Sequence, residues 1–157
     1  MKTFKDTADR DWTIAINITS VKRVRDLAGI DLLANVGGEL VEKLNGDALV
    51  VFDILYALVK PEAETRSVTA EQFGSALDGD VIEAATTALI AELIAFFPPS
   101  RRPMIVKAMA KLKDLETAAM AQVLKEIDEM NAESLVASLS SSKSGNSPAS
   151  SESTPAH

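Results

Sequence analysis

The stretch WTIAINITSVKRVRDL, residues 12–27, changes period in its middle. Trp12, Ile14 and Ile16 alternate with Thr13, Ala15 and Asn17, as a strand with one covered face requires, whereas Val21, Val24 and Leu27 recur at helical spacing from Thr19 onward. A shorter run over residues 3–6 pairs with this strand across Thr7, Ala8, Asp9 and Arg10, which predicts an N-terminal β-hairpin. Two strands alone are marginally stable, so the hairpin must lie on helices.

The rest of the chain reads as those helices. Thr19 or Asn17 caps the first, and Gly29 is a left-handed terminator. Asp31 starts a second helix carrying Leu32, Leu33, Val36, Leu40 and Leu44, weakened at Gly37-Gly38 and closed by Asn45-Gly46. Residues 48–59 are almost continuously apolar with one acid, Asp53; the length favours helix over strand, and Lys60-Pro61 is expected to end it. Thr69 and Gln72 form a capping box for a short helix through Leu77, and Asp80 to Glu83 gives a cap-like start to a helix ending at Phe97, before Pro98-Pro99. Ser100 caps the last helix, where Ile105, Ala108, Leu112, Leu115, Ala119, Val123, Ile127 and Met130 keep a period near 3.6 over about 45 Å. That is longer than a compact domain needs.

From Ser138 to Ser153 nine of sixteen residues are serine and no bulky apolar group follows Leu139, so a disordered tail is expected there. The expected organisation is a mainly α domain over residues 1–137, with the hairpin packed on a bundle of five or six helices and a long C-terminal helix, then a Ser-rich tail over 138–157. Trp12, Ile14, Val24, Leu33, Leu55, Leu89 and Phe96 are the expected core.

Composition removes most chemistry. The 157 residues contain no cysteine, and His157 is the only histidine, so zinc sites, thiol catalysis and imidazole bases have no donors. No metal or cofactor is expected, and no enzymatic activity. The net charge of −7 argues against a nucleic-acid or anionic-membrane binder. Residues 81–97 approach membrane-spanning length but carry Glu83 and Glu92, which suits a buried helix. The polar opening MKTFKD has no signal-like apolar core behind it, so secretion is not expected.

Few residues invite a chemical reading. Asp53 in its apolar run is a candidate acid or base, but an edge-facing acid explains it more simply. Glu83 and Glu92, nine apart, fall on opposite sides of a helix and cannot share a ligand. Gly37-Gly38 has neither the spacing nor the lysine of a phosphate loop. Lys22, Arg23 and Arg25 form one basic cluster, and Arg101, Arg102, Lys107, Lys111 and Lys113 a second. No aromatic residue is interleaved with either, so an acidic protein surface is the expected partner ahead of nucleic acid.

The last helix opposes its own macrodipole: basic residues fill its first turns and Glu126, Asp128, Glu129 and Glu133 its end. Solvated charges and head-to-tail self-association into a homo-oligomer both remain open as readings. Met104, Met109, Leu112 and Met120 are candidate contacts for an apolar partner, set against the ordinary use of methionine in cores. Ala118, Ala119 and Ala121 thin the stripe beyond Leu115, which suits close packing on another helix.

Asp6-x3-Arg10-x-Trp12-x-Ile14, Ile16-Asn17-Ile18, Val21 to Arg25, and Gly29-Ile30-Asp31-Leu32-Leu33 together resemble the tail assembly chaperones of long-tailed bacteriophages and related prophages. Asp53-Ile54-Leu55-Tyr56, Lys60-Pro61, Phe73-Gly74-x-Ala76-Leu77-x-Gly79-Asp80, Ala84 to Leu89 and Phe96-Phe97-Pro98 extend the likeness over about residues 3–130. Asp9 stands in the hairpin turn where the family carries glycine. The resemblance implies a helical, non-enzymatic protein that binds the tape measure protein in the host bacterial cytoplasm, keeps it soluble, helps recruit tail tube subunits and is absent from the mature virion. The alternative reading is a small helical DNA-binding or regulatory protein acting through Lys22, Arg23 and Arg25.

Overall fold

The computed structural model describes residues 1–34 and 38–141. Strands β1 (Lys2–Lys5) and β2 (Asp11–Ile14) pair antiparallel, with Phe4 opposite Trp12 and Lys2 opposite Ile14. Helices α1 (Ile18–Ala28), α2 (Glu39–Gly46), α3 (Ala48–Thr65), α4 (Ala70–Ser75), α5 (Gly79–Phe96) and α6 (Arg102–Ser141) follow. The protein is mainly α with an N-terminal hairpin and a long last helix. It divides into two units, Met1–Lys113 and Asp114–His157.

The hairpin packs because alternation puts Phe4, Trp12 and Ile14 on one buried face. Its turn is organised by Asp6, whose side chain is fully buried. Asp6 Oδ1 accepts from the backbone N–H groups of Ala8 (2.9 Å) and Arg10 (3.0 Å). Oδ2 accepts from Arg10 Nε (2.7 Å) and Trp12 Nε1 (2.8 Å). Asp9 holds the left-handed conformation (φ 60°), a region aspartate enters more readily than most residues. The turn is tied to the end of α4: Thr7 N donates to Ala76 O (3.0 Å) and Arg10 Nη2 to Gln72 O (3.3 Å). The Trp12 ring meets Phe73 edge-on at 5.1 Å, and the guanidinium groups of Arg10 and Arg66 lie 5.5 and 5.0 Å from its centroid.

The outer edge of β2 is closed by side chains of α3. Glu62 Oε2 accepts from Thr13 N (3.0 Å), Arg66 Nη1 donates to Asp11 O (2.8 Å), and Arg66 and Glu62 bind each other at 2.6 Å. This ion pair occupies backbone groups that an incoming strand would use. Around α3, Val51, Ile54, Leu55 and Leu58 form one core with Val24, Leu32, Leu89 and Leu93.

Three local expectations hold. Asn17 caps α1 reciprocally with Ser20, Gly29 ends it at φ 69°, and Thr69 and Gln72 form the capping box of α4. Five helix boundaries are corrected. Helix α3 continues through Pro61 to Thr65 instead of ending at Lys60-Pro61. Helix α5 is capped by Asp78, which accepts from Val81 N, and Asp80 instead sits in the first turn, where its charge complements the dipole. Residues 31–34 form a turn in which Asp31 Oδ1 accepts from Leu33 N, and α2 starts only at Glu39; Val36 and Gly37 lie outside the described residues. Helix α6 starts at Arg102, after a turn in which Pro98 O accepts from Arg101 N, and α4 stops at Ser75.

Helix α6 also extends through Ser138 to Ser141, so the serine run starts inside a helix, and residues 142–157 lie outside the described residues. Trp12, Ile14, Val24, Leu55 and Leu89 are buried, and Leu33 packs half-buried on the core. Phe96 is only half-buried. Phe97, in the extended cap conformation, turns onto the core in its place.

Burial pushes the Asp6 carboxyl up, but hydrogen bonds from Trp12 and Arg10 outweigh it and hold its pKa below the ordinary aspartate value. A depressed folded pKa contributes stability that is complete above the unfolded value of about 3.9 and is lost as pH falls through the lower folded value. Urea unfolding should therefore show Asp6→Ala destabilised by about 3 kcal/mol at pH 7. The wild-type advantage should shrink below about pH 4.

Candidate functional site

The two basic clusters come apart when each side chain is followed to its partners. Proline has no N–H, so Pro61 leaves the carbonyl four residues earlier, Ala57 O, without its helical donor. Arg23 Nη1 lies 3.5 Å from both Ala57 O and Leu58 O. These are long contacts, yet they direct a positive charge at the carbonyls the proline exposes. Arg25 pairs with Asp31, whose carboxyl is held below its usual range by the Leu33 N–H and by Arg25. Among the described residues, Lys22 alone of the first cluster has no ionic or hydrogen-bonded partner.

In the second cluster, Arg102 Nε donates to Phe97 O and Nη2 to Ala95 O, both at 2.8 Å. It thereby satisfies the carbonyls that α5 leaves open at its end. Arg101 is exposed. Of the predicted apolar contacts, Met104 and Met120 are exposed, whereas Met109 packs on the core and Leu112 is half-buried. The predicted site residues thus serve two roles: Arg23, Arg25, Arg102 and Met109 stabilise the fold, while Lys22, Arg101, Met104 and Met120 stay open to solvent.

Concave surface offers little for catalysis. Two adjoining hollows of about 590 and 490 Å³ share Thr19 and Arg23 along α1 and α3, both open to solvent. Asp53 is exposed and lines neither. Among the described residues no group of three histidines, cysteines or acids could hold a metal, and no helix is long and apolar enough to cross a membrane.

The unusual surface is on α6. Every described side chain from Lys113 to Leu139 is exposed. Leu115, Met120, Val123, Leu124, Ile127 and Met130 are each between 47% and 68% exposed. At about 100° per residue, Ala119, Val123, Ile127 and Met130 lie on one side of the helix, with Met120 and Leu124 widening it. Scattered apolar residues on a surface need no explanation, but a contiguous stripe marks an interaction site. The periodicity was visible in the sequence; its exposure was not, because a buried stripe has the same pattern.

Comparison of the chain with protein-family models, with characterised proteins and with solved structures returns no match.

The Arg23 assignment is open to a double-mutant cycle. Arg23→Met should cost about 1 kcal/mol in urea unfolding. In a Pro61→Ala background, where residue 61 regains its N–H, that cost should fall to about half or less. Equal costs in both backgrounds would make Arg23 irrelevant to the proline.

Proposed function

We propose that this chain is a non-enzymatic tail assembly chaperone that binds the tape measure protein of a long-tailed phage or prophage and keeps it soluble. One observation carries the reading: the apolar stripe of residues 115–130 is held on a helix and, among the described residues, left uncovered. A long helical client exposes apolar faces of its own, and covering them with an exposed helical stripe removes both surfaces from water. The motif resemblance supplies the biological setting, with the host cytoplasm as location, tail tube subunits as further partners and release before the virion is complete. Self-association along a repetitive client would add avidity.

The DNA-binding alternative loses ground because two of the three residues it needs, Arg23 and Arg25, are engaged within the fold. An enzyme centred on Asp53 loses ground because Asp53 is exposed and lines neither hollow.

Co-expression with the tape measure protein of the same phage should move that protein from the pellet to the soluble fraction. Val123→Asp/Ile127→Asp should abolish the rescue while leaving the chaperone's own unfolding midpoint nearly unchanged, since exposed substitutions shift stability by only about 0.5 kcal/mol. A client that stays insoluble with the wild-type chain overturns the proposal.

A further inference from the structure

Charge is distributed along α6 as unevenly as exposure. Residues 101–113 carry five basic residues and no acid, and residues 114–139 carry six acids and one lysine, a net −5 out of −7 for the whole chain. Glu126, Glu129 and Glu133, spaced i, i+3 and i+7, fall within a sector of about 60° that borders the Ala119–Val123–Ile127–Met130 stripe. Acids three and four residues apart on one helix face repel. The exposed segment is therefore a helix whose own charges weaken it, and among the described residues no apolar side chain covers its stripe.

We propose that residues 114–139 dock a basic amphipathic helix of another polypeptide, one that sets Lys or Arg at heptad spacing beside an apolar seam. This rests on the chaperone reading and names the chemistry of the client. Such an occupant covers the stripe, neutralises the Glu126–Glu129–Glu133 row as flanking charges do in helix pairs, and removes the repulsion that weakens the free helix. A second copy of this chain fits less well. Two such segments side by side bring −5 against −5. The basic start of α6 offers no equivalent seam, because Ile105 and Met109 are spent on the core and Arg102 on the end of α5.

The test uses the full chain and two labelled synthetic helices with identical apolar seams, one flanked by lysine and one by glutamate, with binding read by fluorescence anisotropy. The lysine-flanked helix should bind at least about tenfold more tightly, and raising salt from about 50 to about 500 mM should erase most of the difference. Glu126→Lys/Glu133→Lys should invert the preference, and Val123→Asp/Ile127→Asp should remove binding of both. Equal binding of the two helices, binding of neither, or self-association lost in Val123→Asp/Ile127→Asp would each overturn the inference. Failure is separable from failure of the chaperone reading. If Glu126→Lys/Glu133→Lys solubilises the tape measure protein as well as wild type does, the charge inference falls and the function stands. If wild type fails to solubilise it while the peptide preference holds, the reverse is true.

Discussion

One buried carboxylate organises the N-terminal half. Asp6 is withdrawn from water and survives as an anion only because four N–H donors converge on it, and two of those donors, Arg10 Nε and Trp12 Nε1, belong to side chains of the packed face. Satisfying the charge fixes the turn, and fixing the turn sets the register that puts Trp12 opposite Phe4. Trp12 in turn is the surface on which Phe73 of α4 and Arg66, the C-cap residue of α3, meet. Removing one partner from such an arrangement leaves the others buried and unpaired, which is why its energetics are cooperative.

The same logic explains where the arginines go. A guanidinium presents five donors in a rigid fork, so it is well suited to carbonyls that secondary structure leaves open. Arg23 addresses the gap made by Pro61, Arg102 the end of α5, and Arg66 the edge of β2. Arg23 and Arg102 come from the two separate basic clusters of the sequence, and Arg66 lies outside both. This bears directly on function, because an arginine already engaged with backbone carbonyls has less to offer phosphate or an acidic partner.

Helix α6 follows a different rule. Its stripe has the amphipathic period of a packed helix, yet beyond Lys113 every described side chain up to Leu139 is open to solvent. An isolated helix in water gains little beyond its own hydrogen bonds, and charges set against the macrodipole reduce that gain. An exposed seam and an adverse charge order are costs that a partner helix relieves together, and the proposed function takes its physical basis from that coincidence.

The sequence by itself determined the elements whose signals are local. The change of period across residues 12–27 marks the hairpin-to-helix boundary, Asn17 and Thr69 mark caps through side chains reaching three residues away, Gly29 marks one through its left-handed backbone, and the lack of Cys and internal His closes off whole reaction classes. Only the tertiary structure decided the rest. Pro61 reads as a helix end until Arg23, 38 positions earlier, is brought beside the carbonyl it frees. Asp6, Arg10 and Trp12 read as a motif until they are seen to share one buried charge. The α6 stripe reads as a face for packing on another helix, but periodicity records only which residues are apolar, whereas burial depends on whether another surface arrives to cover them.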